Sequence, residues 1–239
     1  MTSSLQDAVV VVLGGTSGIG LATAALAQSE GARVTVAGRD QARLADALQQ
    51  LGGAARGVTL DVADEAAVRD LFASFDHVDH VALLAGTHAD GEIAAIDVDR
   101  VRSPVDTRLW GAVHVCKHAS SRMTDGSITI CTGVGVERPR RGGAIVAAAA
   151  GAAEILARAV ALEVAPVRVN VVRPGIVDTP LLTRMAGDRR DEVIAARSKR
   201  IPLGRIGRPE EIAHAIVFLM TNTYVTGSTL TVDGGISLA

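Results

Sequence analysis

The stretch Leu13-Gly14-Gly15-Thr16-Ser17-Gly18-Ile19-Gly20 decides how this chain is read. A Val-rich run from Ala8 to Leu13 leads into it, and a helical pattern from Ile19 to Glu30 leads out, stopped by Gly31. A continuous apolar run without polar alternation is the pattern of a strand buried on both faces. Glycines between a strand and a helix let the backbone turn tightly and approach a pyrophosphate. The helix N-terminus then supplies N–H donors and the positive end of its dipole. The spacing is Gly-x-x-x-Gly-x-Gly, a variant of the commoner Gly-x-Gly-x-x-Gly, and a tight turn without a ligand is the competing reading.

Working outward, the same alternation continues to the end of the chain. Strands are expected at Arg33–Ala37, Val58–Leu60, His80–Leu84, Ser127–Cys131, Val167–Val172 and Thr229–Val232. Helices are expected at Gln41–Leu51, Glu65–Phe75, Arg108–Met123, Ala144–Glu163, Arg189–Lys199 and Pro209–Met220. Alternating strands and helices build a parallel sheet with helices on both faces. The expectation is therefore one α/β domain over residues 1–239, a Rossmann-type doubly wound sheet. The polar, charged stretch Arg184 to Arg205 reads as a mobile insertion where a substrate lid sits in such folds.

Composition narrows the partners. A formal charge of −2 gives no general attraction to nucleic acid, and 2% aromatics leave little for base stacking. Cys116 and Cys131 support neither a disulfide framework nor a zinc cluster, so no metal is expected. No run reads as long and apolar enough to cross a membrane. Residues 1–7 lack the basic start and apolar centre of a secretion signal, which makes the cytoplasm the expected location.

The end of the second strand addresses cofactor choice. An NAD site usually places an acidic residue there for the ribose 2′-hydroxyl. Here Gly38 stands at that position and Arg39 follows. Loss of the carboxylate removes repulsion against a 2′-phosphate, and Arg39 offers it a forked, permanent cation. Thr16 and Ser17 add hydroxyl donors. NADP(H) is the expected cofactor; a solvated Arg39 beside Asp40 is the alternative.

With these residues in place, the chain resembles the short-chain dehydrogenase/reductase family over nearly its whole length. The resemblance rests on Gly14 to Gly20, Leu60-Asp61-Val62, Ala85-Gly86 and Arg168-Val169-Asn170. It continues through Arg173-Pro174-Gly175, Asp178-Thr179-Pro180, Val225-Thr226-Gly227 and Asp233-Gly234-Gly235. It implies that Asp61 and Val62 hold the adenine and that Gly86, preceded by Ala85, lines the ribose. Gly14, Thr16, Ser17, Gly18, Ile19 and Gly20 belong to the same cofactor site. Pro174, Gly175, Ile176 and Thr179 contact the nicotinamide carboxamide by the same resemblance. A homotetramer or homodimer follows too, with the Ala144–Glu163 and Arg108–Met123 helices at the interface.

The family's catalytic residues are a different matter. They are a Tyr acid/base, a Lys four residues later, a Ser that orients the carbonyl, and an Asn. In register, the Ser position is Thr132, the Tyr position Ala147, the Lys position Gly151 and the Asn position Arg108. No other alignment restores the pair. The one tyrosine is Tyr224, and the residues four before Lys117 and Lys199 are Val113 and Ala195. Thr132 and His88 are the remaining candidate proton donors. Arg108, Glu137, Arg138, Arg140, Arg141 and Arg173 suggest a cationic rim for an anionic small-molecule substrate, against the reading of a solvated charged loop. His114 and His118 lie one helical turn apart but lack a third ligand. Three functions stay open: an atypical NADP(H)-dependent oxidoreductase, a catalytically vacant NADP(H)-binding sensor or partner protein, and a redox-neutral enzyme on the same fold.

Overall fold

The structure is a computed structural model, and it describes residues 5–239. Seven parallel strands form a single sheet in the order β3-β2-β1-β4-β5-β6-β7. They are β1 (Val9–Leu13), β2 (Arg33–Gly38), β3 (Arg56–Thr59), β4 (His80–Leu83), β5 (Ser127–Cys131), β6 (Arg168–Pro174) and β7 (Thr229–Val232). The chain starts at β1 near the middle, winds outward to β3, then returns to the other side of β1 to lay down β4. The reversal between β1 and β4 opens a crevice beyond the C-terminal strand ends, where open α/β sheets bind ligands.

Side chains alternate across the strands, so each strand feeds two cores. Val11 and Leu13 point to one face and pack with Phe72, Val115 and Ala157. These come from α3 (Glu65–Ala73), α5 (Gly111–Ser120) and α6 (Ala144–Glu163). Val10 and Val12 point to the other face and pack with Ala24, Leu44, Ile212 and Ile216. These come from α1 (Gly18–Ser29), α2 (Gln41–Gln50) and α9 (Pro209–Thr221). Burial on both faces is why the strands read as unbroken apolar runs. Asp40 and Asp64 cap α2 and α3 through their side chains, accepting from Arg43 N and Ala67 N.

Three expectations need correction. The helix expected from Arg108 begins earlier and is not regular: α4 (Arg102–Val105) runs into a π-helical turn at Asp106–Trp110, then into α5. Side-chain periodicity cannot signal a wide turn, because one extra residue shifts the pattern without breaking it. Within the stretch after Arg184, α8 (Arg190–Ser198) matches the helix expected at Arg189–Lys199, but α7 (Pro180–Ala186), which leads into it, was not expected. α7 is short and buries no residue, so its sequence carries no apolar stripe. Finally, α6 is long and apolar enough to cross a membrane by length and composition. Here it packs on the sheet through Ala153, Ala157 and Ala161, and it buries a charged Glu154.

Candidate active site

At the crevice, the backbone of the Gly-rich turn is locked into the sheet. Gly14 N donates to Ala37 O at 2.8 Å, and the Leu13 carbonyl accepts from Leu84 N at 2.7 Å and Ala85 N at 3.0 Å. Gly14 has φ +86°, and a Cβ there would stand 2.5 Å from Ala85 N. No other residue fits this approach. Gly38 is required for a second approach: a Cβ on it would meet Thr16 Cγ2 at 2.5 Å. The missing side chain at the end of β2 thus seats Thr16 as well as removing a carboxylate.

A cleft of about 580 Å³ opens above this turn. Its walls include Gly14, Thr16, Ser17, Gly18, Ile19 and Gly20 from the turn, and Arg39 from β2's end. Asp61, Val62, Ala85, Gly86 and Thr179 of the expected set line it too. Arg43, in the first turn of α2, also lines it and was not expected from the sequence. Thr107, Cys131, Leu181 and Arg184 are further unforeseen wall residues. Arg39 Nη1 lies 3.4 Å from Asp61 Oδ2, with both side chains well exposed. An exposed pair of this kind contributes ~1 kcal/mol or less, so it yields readily to a doubly charged phosphate.

The donor set fits a dinucleotide: a backbone cradle that a Cβ would fill, two arginines with two hydroxyls at one end, and a carboxylate at Asp61. Pro174, Gly175, Ile176, Thr132 and His88 lie off the cleft wall. Pro174 ends β6, Gly175 N donates to Val232 O at 3.0 Å, and Ile176 lines a separate small pocket with Asp233 and Glu211.

Beyond β5 the side chains are bound to one another. The Thr132 hydroxyl donates to Glu154 Oε1 at 2.8 Å. Glu154 in turn receives Arg173 Nε at 3.0 Å and Nη2 at 2.5 Å, both residues being buried. Arg173 Nη1 also bonds Glu137 and lies 3.3 Å from Thr231 Oγ1. The hydrogen bond from Arg173 to Glu154 raises the guanidinium's pKa further, so this cation is permanent. Glu154 is the network's hub. Sequence reasoning passed over it because it sits within an Ala-rich helix whose partners are 19 and 22 residues away.

The expected cationic rim is largely neutralised. Arg140 Nη2 lies 2.6 and 2.7 Å from the two Asp90 oxygens, and Arg141 forms a forked pair with Glu92 at 2.7 and 2.9 Å. Arg138 donates to Ile236 O at 3.3 Å. His88 Nε2 sits 2.8 Å from Arg140 Nη2 and 2.9 Å from Asp90 Oδ1. Burial lowers the His88 pKa, and Nε2 is held between the Arg140 guanidinium and the Asp90 carboxylate. The Cys131 thiol on the cleft wall is pushed up to about 11 by burial and is no nucleophile. Ala147 and Gly151 lie one turn apart on α6, both half-buried, and a Cβ on Gly151 would meet only Val136 Cγ1 at 3.7 Å. His114 bonds the Val62 carbonyl, His118 pairs with Glu65, and the described residues hold no group of three metal ligands.

The described residues contain one further charged group at the cleft's inner end. Arg108, inside the π turn, donates from Nε to the Thr87 carbonyl at 3.3 Å. Burial lowers its pKa, with the nearby Cys131 acting in the opposite sense.

Comparison with known proteins agrees with this geometry. A family model described as enoyl-(acyl carrier protein) reductase matches residues 14–237. The chain is 33% identical to the short-chain dehydrogenase/reductase ucsE of Acremonium sp, over 98% of this chain and 97% of the relative. It is 36% identical to the human 3-oxoacyl-[acyl-carrier-protein] reductase, covering 98% and 99% of the two chains. Among solved structures, the MalC reductase/Diels-Alderase from Malbranchea aurantiaca superposes with a TM-score of 0.93 at 29% identity, over 98% of each chain. A small-chain dehydrogenase in complex with NADPH superposes with a TM-score of 0.86 at 33% identity, over 98% of this chain and all of the other. The crossing order of the sheet, the Gly14–Gly20 cradle and these matches together make the chain a member of the short-chain dehydrogenase/reductase family.

Proposed function

We propose that this protein is an NADP(H)-dependent oxidoreductase that acts on a small, activated or anionic molecule without a Tyr/Lys acid–base pair. One observation carries the reading: a complete dinucleotide cleft lies beside a helix with Ala147 and Gly151 at the family's acid and activator positions. Bound NADPH supplies a hydride. Thr16, Ser17, Arg39 and Arg43 hold the 2′-phosphate; the Gly14–Gly20 turn and the start of α1 hold the pyrophosphate. Asp61 and Val62 hold the adenine, and Ala85, Gly86 and Thr179 orient the ring end, with Pro174, Gly175 and Ile176 behind them. Leu181 and Arg184 of α7 on the cleft wall support a lid in this part of the chain.

The proton economy limits the substrate. The Thr132 proton is directed at Glu154, which leaves the hydroxyl oxygen only as an acceptor and positioning group. His88 Nε2 is engaged by Arg140 and Asp90, so it serves as a proton carrier only by way of water. An iminium carbon needs no acid, because hydride addition already yields the neutral amine. A conjugated alkene takes the hydride at its β-carbon, and the resulting enolate collects its proton from water. A plain ketone lacks such relief, and absence of a positioned acid costs it ~10²–10⁴-fold in rate.

The test is a substrate panel followed by NADPH absorbance. Iminium and conjugated-alkene substrates are expected to turn over, and simple ketones to fail. Robust ketone reduction would refute the reading. The double change Ala147→Tyr and Gly151→Lys restores a phenol with an ammonium one turn along, and it should add ketone reduction. A sensor or partner role is the second reading, favoured by the commitment of Thr132 to Glu154. NADPH binding with no turnover of any activated substrate would select it. Exposed Ile155 and Leu162 on α6 support a homodimer or homotetramer, which light scattering resolves from a monomer.

A further inference from the structure

Five arginines were expected near the substrate: Arg108, Arg138, Arg140, Arg141 and Arg173. Three are paired with carboxylates: Arg173 with Glu154 and Glu137, Arg140 with Asp90, and Arg141 with Glu92. Arg138 is exposed and donates to the Ile236 carbonyl, where water serves it as well. Arg108 has no carboxylate within ion-pair distance among the described residues, and its hydrogen bond to Thr87 O uses Nε alone.

The fork stands directly behind the cleft wall. A Cβ on Gly86, a wall residue, would lie 3.0 Å from Arg108 Cζ and 3.2 and 3.3 Å from Nη1 and Nη2. Thr87 and Cys131, its other neighbours, are wall residues too. The sheet order puts this end, above β4 and β5, across β1 from Arg39 and Arg43 above β2. A half-buried guanidinium gains most from a counter-charge, because its remaining N–H donors have lost part of their hydration. The phosphates of a dinucleotide are drawn to the Gly-rich turn and to Arg39, so the counter-charge at Arg108 comes from the second reactant. A planar fork matches a carboxylate bidentately.

We infer that Arg108 anchors a carboxylate of the substrate at the inner end of the cleft. The inference rests on the reading of the cleft as a dinucleotide site. It makes the substrate an activated acid, an unsaturated or imino carboxylate, and makes Arg108 the specificity-determining residue.

The probes are trans-cinnamate and cinnamamide, matched in shape and differing in charge. Each is titrated calorimetrically into the protein saturated with NADP⁺, where no hydride is available. Cinnamate should bind about tenfold or more tightly than the amide, as expected for charge-assisted hydrogen bonds. Arg108→Gln should abolish that preference, Arg108→Lys should retain part of it, and NADP⁺ affinity should hold within about twofold in both. Equal binding of acid and amide to the wild-type protein overturns the inference without any variant. So does an Arg108→Gln protein that keeps the preference, or one that loses NADP⁺ binding tenfold, which assigns the fork to the cofactor. Failure of the wild-type protein to bind NADP⁺ overturns the dinucleotide reading itself, and this inference with it.

Discussion

The two sides of the crevice are built on different principles. Around β1 and β2 the cleft is made of backbone: Gly14 against Ala85, Thr16 against Gly38, and the first turn of α1. Around β5 and β6 it is made of side chains bound to each other, with Thr132, Glu154, Arg173 and Glu137 in one chain of contacts. A backbone cradle tolerates little change, because any Cβ collides. A side-chain constellation can be exchanged wholesale, provided each buried charge keeps a partner.

The contrast breaks most visibly at Glu154. Glu154→Ala leaves Arg173 buried beside only Glu137, and stability should fall by about 3–5 kcal/mol in urea unfolding. Glu154→Gln should cost less, because the amide oxygen still accepts. A loss below ~1 kcal/mol for the alanine variant would mean the network is not structural.

Next in size is a pH effect under the same half of the sheet. His80 on β4 faces Ser127 Oγ of β5 at 3.0 Å, and burial lowers its pKa to about 4. In the unfolded chain a histidine titrates near 6.5. The unfolded state therefore binds the proton first, and stability present above about pH 6.5 is lost as pH falls toward 4. The linked loss is about 3 kcal/mol in total. His80→Gln should flatten this part of the pH–stability curve; an unchanged slope would show that His80 is not its source.

The backbone half is probed by Gly14→Ala. With φ at +86° and a clash at Ala85 N, it should cost about 2–3 kcal/mol and weaken NADPH binding together with stability. A variant that is stable yet blind to NADPH would show that the cradle serves the ligand and not the fold. The mildest change is Arg39→Asp, which should lower NADPH affinity about tenfold while sparing NADH, as loss of a charge-assisted contact implies. Equal affinities of the wild-type protein for both cofactors in calorimetric titration would remove Arg39 and Arg43 from the phosphate site.

These two halves also differ in how far they could be read in advance. Ala8–Leu13, the Gly14–Gly20 turn and Arg39 are local features. Strand burial, tight turns and the loss of an acidic residue leave marks within a few positions. The seven strands were accordingly legible to within one or two residues at most ends, and about half of the cleft wall consists of residues named from the sequence. The π turn at Asp106–Trp110 and the short helix α7 were not legible. The first shifts register without changing composition, and the second buries nothing.

By itself, the sequence determined the strand–helix alternation, the Gly-rich cradle and the absence of any Tyr-x-x-x-Lys, because each is written in the order of neighbouring residues. Only the tertiary structure decided which charges remain free. Arg140 meets Asp90, Arg141 meets Glu92 and Arg173 meets Glu154 across 50, 49 and 19 residues, while Arg108 meets no carboxylate. Charge pairing depends on distance in space through Coulomb's law. Order along the chain does not contain that distance until the strands are laid side by side.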